Sequence, residues 1–458
     1  MSLTPATAGK LPSPASGREK VGRVVFKQGV MLKKRPVIEQ FIVLPQAAKW
    51  LGLSALVGLL TGSASAIFLY ALNWATTWRE QHLWVIALLP LAGLMIGWIY
   101  HRFGQEVESG HDLLLDEIHD PKSTVPLRMT PLILLGTLAT HFFGGSAGRE
   151  GTAVQMGGSL ADQLTRPFRL SAADRRILLM AGISAGFGSV FGTPLAGAVF
   201  GLEVLAIGRL RYDAIFPCFL SAIFANAVTL GWGIQHTAYR VALIPGLSPV
   251  TLLAALAAGF FFGIAGMLFA KATHGIRSLF RKISYAPLRP LIGGILVAAA
   301  VYALQTTKYI GLGLPTISAA FTEQLSPWDF VFKFAFTVLT LGAGFKGGEV
   351  TPLFFIGAAL GNALGYFLPL PPALLAGIGL VAVFAGAANT PLACTLMGME
   401  LFGPGMGVYA ALGCVASYLF SGHAGVYHAQ RMGTGKALHP PVEENQRLSE
   451  FAKTRKLR

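Results

Sequence analysis

The chain has 458 residues, of which 53% are hydrophobic and only 12% charged, with a mean hydropathy of +0.59. A soluble domain carries about 25% charged residues, so the balance sets aside a soluble enzyme or binding module in favour of a polytopic membrane protein. The formal net charge of +15 is not a nucleic-acid signature, because the basic residues gather at the two ends.

Residues 1–45 are rich in Pro, Ser, Gly and Lys and read as a flexible tail, with room for one short amphipathic helix ahead of the membrane. Lys10, Arg18, Lys20, Arg23, Lys27, Lys33, Lys34 and Arg35 precede the first apolar run. That run begins too late and is too long for a cleaved secretory signal. Apolar segments then lie near 47–78, 83–103, 130–144, 150–165, 177–191, 193–208, 213–233, 249–282, 288–306, 328–345, 351–368, 372–388, 391–402, 405–420 and 424–434. The stretches 83–100 and 252–270 run uncharged for about a membrane's thickness, and 249–282 can span steeply tilted. Many others are too short to cross at about 1.5 Å per residue. Short segments interrupted by Gly and Pro meet, in transporters, at a binding site near the midplane. Residues 436–458 form a second basic tail containing Arg447, Lys453, Arg455, Lys456 and Arg458. The positive-inside rule places both termini in the cytoplasm, with the tails against anionic lipid headgroups. Cys218, Cys394 and Cys414 lie in apolar segments without CxxC spacing or a nearby His set. They read as small core residues, and neither metal nor cofactor is expected.

The chain repeats itself. Thr193–Glu203 (TPLAGAVFGLE) aligns with Thr390–Glu400 (TPLACTLMGME) at an offset of 197, and the stretches leading into them, 182–193 and 379–390, keep that offset. Thr152–Gly157 pairs with Pro352–Gly357 at an offset of 200. Three matches in one order divide the membrane part into homologous halves, 46–235 and 236–435. Repeats with a site at their interface are a recurring transporter plan.

Two glycine-rich stretches then stand out. Gly148-Arg149-Glu150-Gly151-Thr152 opens one half's central segment, and Gly347-Gly348-Glu349-Val350-Thr351-Pro352 opens its counterpart, with Pro352 at a favourable first-turn position. An ionisable residue inside a membrane is a functional-site hypothesis by default. Glycine leaves backbone N–H groups and helix dipoles free to face an anion, so two converging helix N-termini would form a positively polarised pocket. Arg149 is expected near water, leaving Glu150 as the group in the pathway. Glu203 and Glu400 hold equivalent positions and read as structural helix-end carboxylates, with proton carriage the alternative. Tyr427, in Gly422–Tyr427, is either a hydroxyl donor to a pocket or an interfacial tyrosine. Ser109-Gly110-His111-Asp112 opens a further short segment, where Ser109, His111 or backbone amides donate to an anion, or Ser109 or Asp112 merely caps a helix. Gly182-Ile183-Ser184-Ala185-Gly186 matches the GxSxG nucleophile elbow but sits in an apolar helical run.

These residues, in this order, resemble the CLC family of chloride channels and anion/proton antiporters, over about residues 45–435. Gly148–Gly151 matches its GREGP motif, Gly348–Pro352 takes the place of GxFxP, and Tyr427 stands where the family has an anion-coordinating tyrosine. The resemblance implies an all-α fold of two inverted-topology repeats with many short, tilted and re-entrant helices. It implies a homodimer with one pathway per subunit, in a cell membrane that would be the inner membrane of a bacterium. It also implies Glu150 as the external gate and amides near Glu349 and Val350 facing the anion. The departures are Thr152 for proline, Glu349 and Thr351 around Val350, and Glu108–Asp112 in place of GSGIP. Val204 stands where an inner proton-transfer glutamate is usual. All four are similar to the fluoride/proton antiporter branch. The expected activity is fluoride export in exchange for protons, with a chloride channel or chloride/proton antiporter as the alternative. Glu150 and Glu349 would handle the proton. Ser109 or His111 would line the anion site with Gly148, Arg149, Gly151, Thr152, Gly348, Glu349, Val350, Thr351 and Tyr427.

Overall fold

The computed structural model describes residues 39–436 and 446–450, and the side chains from residue 43 onward. The basic residues before 39 and after 450, and the short pre-membrane helix expected among the former, lie outside them. Residues 1–46 form a separate unit, of which the described part is the start of the first helix; Ala47–Arg458 forms the other.

Sixteen α-helices occur among the described residues: α1 (Glu39–Gln81), α2 (Leu89–Phe103), α3 (His111–His119), α4 (Met129–Phe142), α5 (Glu150–Asp162), α6 (Ala172–Phe191), α7 (Pro194–Glu203), α8 (Ile215–Gly231), α9 (Pro249–Arg281), α10 (Leu288–Leu304), α11 (Leu314–Ala319), α12 (Asp329–Ala343), α13 (Val350–Leu364), α14 (Pro372–Ala388), α15 (Pro391–Phe402) and α16 (Gly407–Phe420). The first eight and the last eight each open on their longest helix, α1 and α9, and each have their shortest third, α3 and α11. Local chemistry sets many of the ends. Ser248 caps α9 in a reciprocal box with Thr251, followed by Pro249 at the first turn. Gly192 and Asn389 close α6 and α14 in the left-handed region, and Thr-Pro restarts the chain each time as α7 and α15.

α5 and α13 lie at the centre, buried on nearly every face. At 13 residues, α5 is about 20 Å long and cannot cross a bilayer core of about 30 Å. It is a re-entrant element, satisfied only because protein surrounds it. Close packing there relies on equivalent glycines: a Cβ on Gly182 would meet Gly157 O, and one on Gly379 would overlap Gly357 O. These contacts join α5 to α6 and α13 to α14 at positions the repeat offsets pair. Among the described residues, four stretches are long and apolar enough to cross a membrane, namely Val43–Gln81, Leu83–Phe103, Tyr212–Gly231 and Pro249–Arg281.

The halves also exchange caps. Glu203 at the end of α7 accepts from Leu392 N (3.0 Å) and Ala393 N (2.8 Å) at the start of α15. Glu400 of α15 accepts from Leu195 N (3.0 Å) and Ala196 N (2.8 Å) at the start of α7. Each carboxylate satisfies two orphan amides and the positive dipole end of its partner helix. Glu203→Ala is therefore expected to cost about 1–2 kcal/mol, read as a lower unfolding midpoint in detergent. An unchanged midpoint would remove the capping role.

Three differences from the sequence reading have physical causes. The segment 424–434 is turn-rich, carries Tyr427, and ends in β2 (Arg431–Met432), which pairs in parallel with β1 (Ala206–Ile207). α6 starts at Ala172, not near 177, because Ser171 Oγ accepts from Asp174 N (3.1 Å) and the charges of its first turn are paired. Arg175 forms a two-bond fork with Asp162 (2.7 Å each) and a bond to Glu117 Oε2 (2.9 Å). α3 is capped by Gly110 at φ +59°, not by Ser109 or Asp112.

Candidate functional site

The glycine stretches before α5 and α13 meet at the centre of the molecule. Gly148 N donates to Gly348 O (2.6 Å) and Gly348 N donates to Gly148 O (2.8 Å), an antiparallel bridge that joins the two helix N-termini. Only glycine fits here. A Cβ on Gly148 would stand 2.9 Å from Gly348 O, and one on Gly151 would stand 2.9 Å from both Gly348 Cα and His111 Cε1.

Glu150 is fully buried in the field of both helix ends. Its Oε2 accepts from Arg149 N and Thr351 N (3.1 Å each), and Thr351 Oγ1 donates to its Oε1 at short range. Arg149 Nε lies 3.5 Å from Oε1, its side chain still partly exposed. The carboxylate is thus held as a ligand by donors from both halves. Glu349, which caps α13, turns the other way. Its Oε2 is buried without a hydrogen-bond partner among the described residues, and it lines a cavity of about 670 Å³ with Ser109, His111, Asp112, Gln155 and Tyr427.

The candidates in the 108–118 segment both line that cavity, in different surroundings. His111 packs against Gly151, its ring centroid 5.3 Å from that of Tyr427 and its Nδ1 3.5 Å from Gln155 Nε2. Ser109 stands exposed on the cavity wall. Asp112 Oδ1 accepts from Ala429 N (2.9 Å), fixing the chain just beyond Tyr427. Tyr427 itself is 3% exposed, a pocket residue and not an interfacial anchor. Basic side chains complete the wall: Arg277, Arg281, Arg289 and Lys346, the last with Nζ 3.8 Å over the Tyr100 ring.

Gly148, Arg149, Glu150, Gly151, Gly348, Val350 and Thr351 come together at the bridge, and His111, Glu349 and Tyr427 line the cavity beneath it. Thr152 does not join them. Its hydroxyl pairs with Thr137 of α4 (2.6 Å) and its amide donates to Arg149 O, so it braces α5 from behind and is corrected from an anion contact to a packing contact. Ser184 lies inside α6, where its hydroxyl donates to Ala198 O (3.3 Å), away from any strand-turn-helix elbow. Val204 is buried at the end of α7 and its carbonyl accepts from Gln430 Nε2 (3.0 Å). The reading of the sequence missed Gln155 and Asp112 as neighbours of His111 and Tyr427. The one available signal for Gln155 was a polar side chain between the apolar Val154 and Met156 of α5.

The family model described as "Voltage gated chloride channel" matches residues 92–422. A "Chloride/fluoride channel protein" of Pseudomonas syringae pv. tomato is 58% identical over 425 residues, covering 91% of this chain and 93% of that one. The "H(+)/Cl(-) exchange transporter ClcA" of Vibrio vulnificus is 28% identical over 385 residues, covering 76% and 81%. Among solved structures, a CLC-type fluoride/proton antiporter superposes with a TM-score of 0.82 at 33% identity, covering 84% of this chain and 98% of that one. A cyanobacterial Cl−/H+ antiporter, 21% identical, shares the fold with a TM-score of 0.72, covering 81% and 94%. With a family model over most of its membrane part and the inverted-repeat fold of its solved neighbours, the chain belongs to the voltage-gated chloride channel (CLC) family.

Proposed function

We propose that the protein is a secondary antiporter that exports fluoride in exchange for protons, with Glu150 as both gate and proton carrier. The observation that carries this reading is the seat of the Glu150 carboxylate on Thr351 N, Thr351 Oγ1 and Arg149 N. A carboxylate oxygen and fluoride are both compact, basic acceptors, so donors that satisfy one suit the other. Fluoride gives up a strong hydration shell on entering, and hydroxyl, imidazole and amide donors from Thr351, Tyr427, His111 and the helix N-termini replace it where phenylalanine could not. A proton on Glu150 removes its charge and frees these donors for the anion; losing the proton returns the carboxylate to them. Alternating occupancy of one seat couples opposite movements. Glu349, with its unpartnered Oε2 in the cavity, receives Glu150 when that side chain swings inward.

The relatives support the substrate class: the solved structure at 33% identity is that of a CLC-type fluoride/proton antiporter, and the 58% identical relative is named for chloride and fluoride. In this reading the halves 46–235 and 236–435 form one pathway, and the basic tails 1–45 and 436–458 face the cytoplasmic leaflet. Two subunits pair in the cell membrane through the exposed apolar faces of α7, α8, α15 and α16, which carry Leu195, Phe216, Leu392 and Leu419. The cycle is transport without covalent catalysis and uses no cofactor.

The test is flux in reconstituted vesicles. An inward proton gradient is expected to drive fluoride out against its own gradient and to move chloride far more slowly. Equal transport of both anions, or a reversal potential fixed at the anion's equilibrium value whatever the pH, would favour the second reading. That reading is a chloride or fluoride channel, as the Pseudomonas relative is named. Thr351→Val removes one hydroxyl donor and is expected to weaken apparent fluoride affinity about tenfold, measured by titration calorimetry. Undiminished affinity would exclude Thr351 from the seat.

A further inference from the structure

Antiport as proposed above delivers a proton to the inner side, yet Val204 supplies no acid there to take it. The cavity that holds Glu349 and Tyr427 is also lined by His428. The His428 ring stands 3.7 Å, centroid to centroid, from that of His274 on α9, with 39° between their planes. The protonation of His274 follows from its partner. Its Nε2 lies 2.8 Å from Gly425 O; a carbonyl only accepts, so Nε2 carries the hydrogen and Nδ1 of the neutral ring keeps a bare lone pair. This Nδ1 is buried and has no hydrogen-bond partner among the described residues. Bare buried polar atoms are uncommon, and each asks for a missing proton, water or ligand.

The surroundings suit a proton. Arg277 and Arg281, on the turns of α9 after His274, and Asp112 of α3 are the charged neighbours of the pair. Asp112 is pinned to Ala429 N beside His428. At the start of α13, Glu349 presents an unpartnered buried oxygen, with Arg277 and Asp112 as its neighbours too. Two imidazoles with centroids 3.7 Å apart repel strongly when both are charged, so the pair accepts one proton at a time. The alternative of a pair that only packs leaves the bare Nδ1 unexplained.

We infer that His274 and His428 form the inner proton station, taking the proton from Glu349 across the cavity and releasing it to the cytoplasmic side. In the first step the O–H bond of the Glu349 carboxyl breaks to leave a carboxylate, and an N–H bond forms on the imidazole pair to give one imidazolium. In the second step that N–H gives its proton to solvent water and the neutral ring returns. No other reactant is needed. The inference rests on the antiport reading.

The test uses the full-length protein in vesicles with His274→Gln, His428→Gln and the double variant. Glutamine at 274 keeps an N–H for Gly425 O but cannot carry a proton. In the double variant, proton influx and coupled fluoride efflux are expected to slow by roughly tenfold or more. Fluoride binding by calorimetry should stay unchanged, and imidazole buffer on both sides should restore part of the rate. A double variant that exchanges like an active wild type would overturn this proposal alone. So would a slow variant with weakened fluoride binding and no response to imidazole, which marks a packing role. A wild type without proton-coupled fluoride exchange would overturn the antiport reading first, and this proposal with it.

Discussion

Replacing Glu150 by glutamine is expected to lower fluoride-driven proton movement by roughly 10²-fold or more, while the protein still folds. The seat explains both halves of that result. A glutamine oxygen can take the place of Oε2 and accept from Arg149 N and Thr351 N, and the Thr351 hydroxyl can turn to accept from the new amide. The side chain therefore remains in place without strain, yet it binds no proton. Coupling needs a group that is an acceptor in one half of the cycle and neutral in the other. The measurement is a pH electrode beside a fluoride electrode on the same vesicles. If a pH gradient still drives fluoride export through the Glu150→Gln protein at the native rate, Glu150 is not the carrier.

Arg175→Met is expected to destabilise the fold by about 3–5 kcal/mol, the largest stability effect of any single change considered. Arg175, Glu117 and Asp162 have side chains only 8%, 7% and 0% exposed. The guanidinium also donates to Ser123 O (2.5 Å), and both carboxylates accept backbone amides, from Val125 (2.7 Å) and Lys122 (2.9 Å). Removing the cation strands two buried carboxylates, and that desolvation, not the lost attraction, dominates the cost. Neutralising them as well, with Glu117→Gln and Asp162→Asn, should recover part of the loss. Unfolding midpoints in detergent give the comparison; a single variant as stable as the native protein would show that water reaches the triad.

The triad also marks a limit of reading along the chain. Glu117, Asp162 and Arg175 each resemble an ordinary charge at a helix end, and nothing local says that three such ends meet. α11, six residues long, was illegible for a related reason, since one and a half turns show no period. The bounds of α14 and α15, by contrast, agree with the apolar segments 372–388 and 391–402, because Pro and a left-handed Asn punctuate them.

At the site, Glu150, Glu349 and their glycines were legible because ionisable residues and paired glycines are costly inside a membrane and stand out against apolar neighbours. Thr152 was read in the wrong direction. It shares a motif with Glu150, but the face of α5 it occupies meets Thr137 of α4, and chain spacing does not say which helix lies behind. That His111 packs between Gly151 and Tyr427 while Ser109 stands exposed on the same cavity wall was likewise invisible along the chain, because two other elements supply those contacts.

The sequence by itself determined the solvent class, the twofold repeat and the residues too expensive to be accidental, because hydropathy, self-similarity and the cost of a buried charge are local quantities. Only the tertiary structure decided which of them touch. The Gly148–Gly348 bridge, the exchanged caps of Glu203 and Glu400, and the close ring contact of His274 with His428 all join residues far apart in the chain. Those contacts depend on how two inverted halves pack, and packing is a property of the whole assembly of helices.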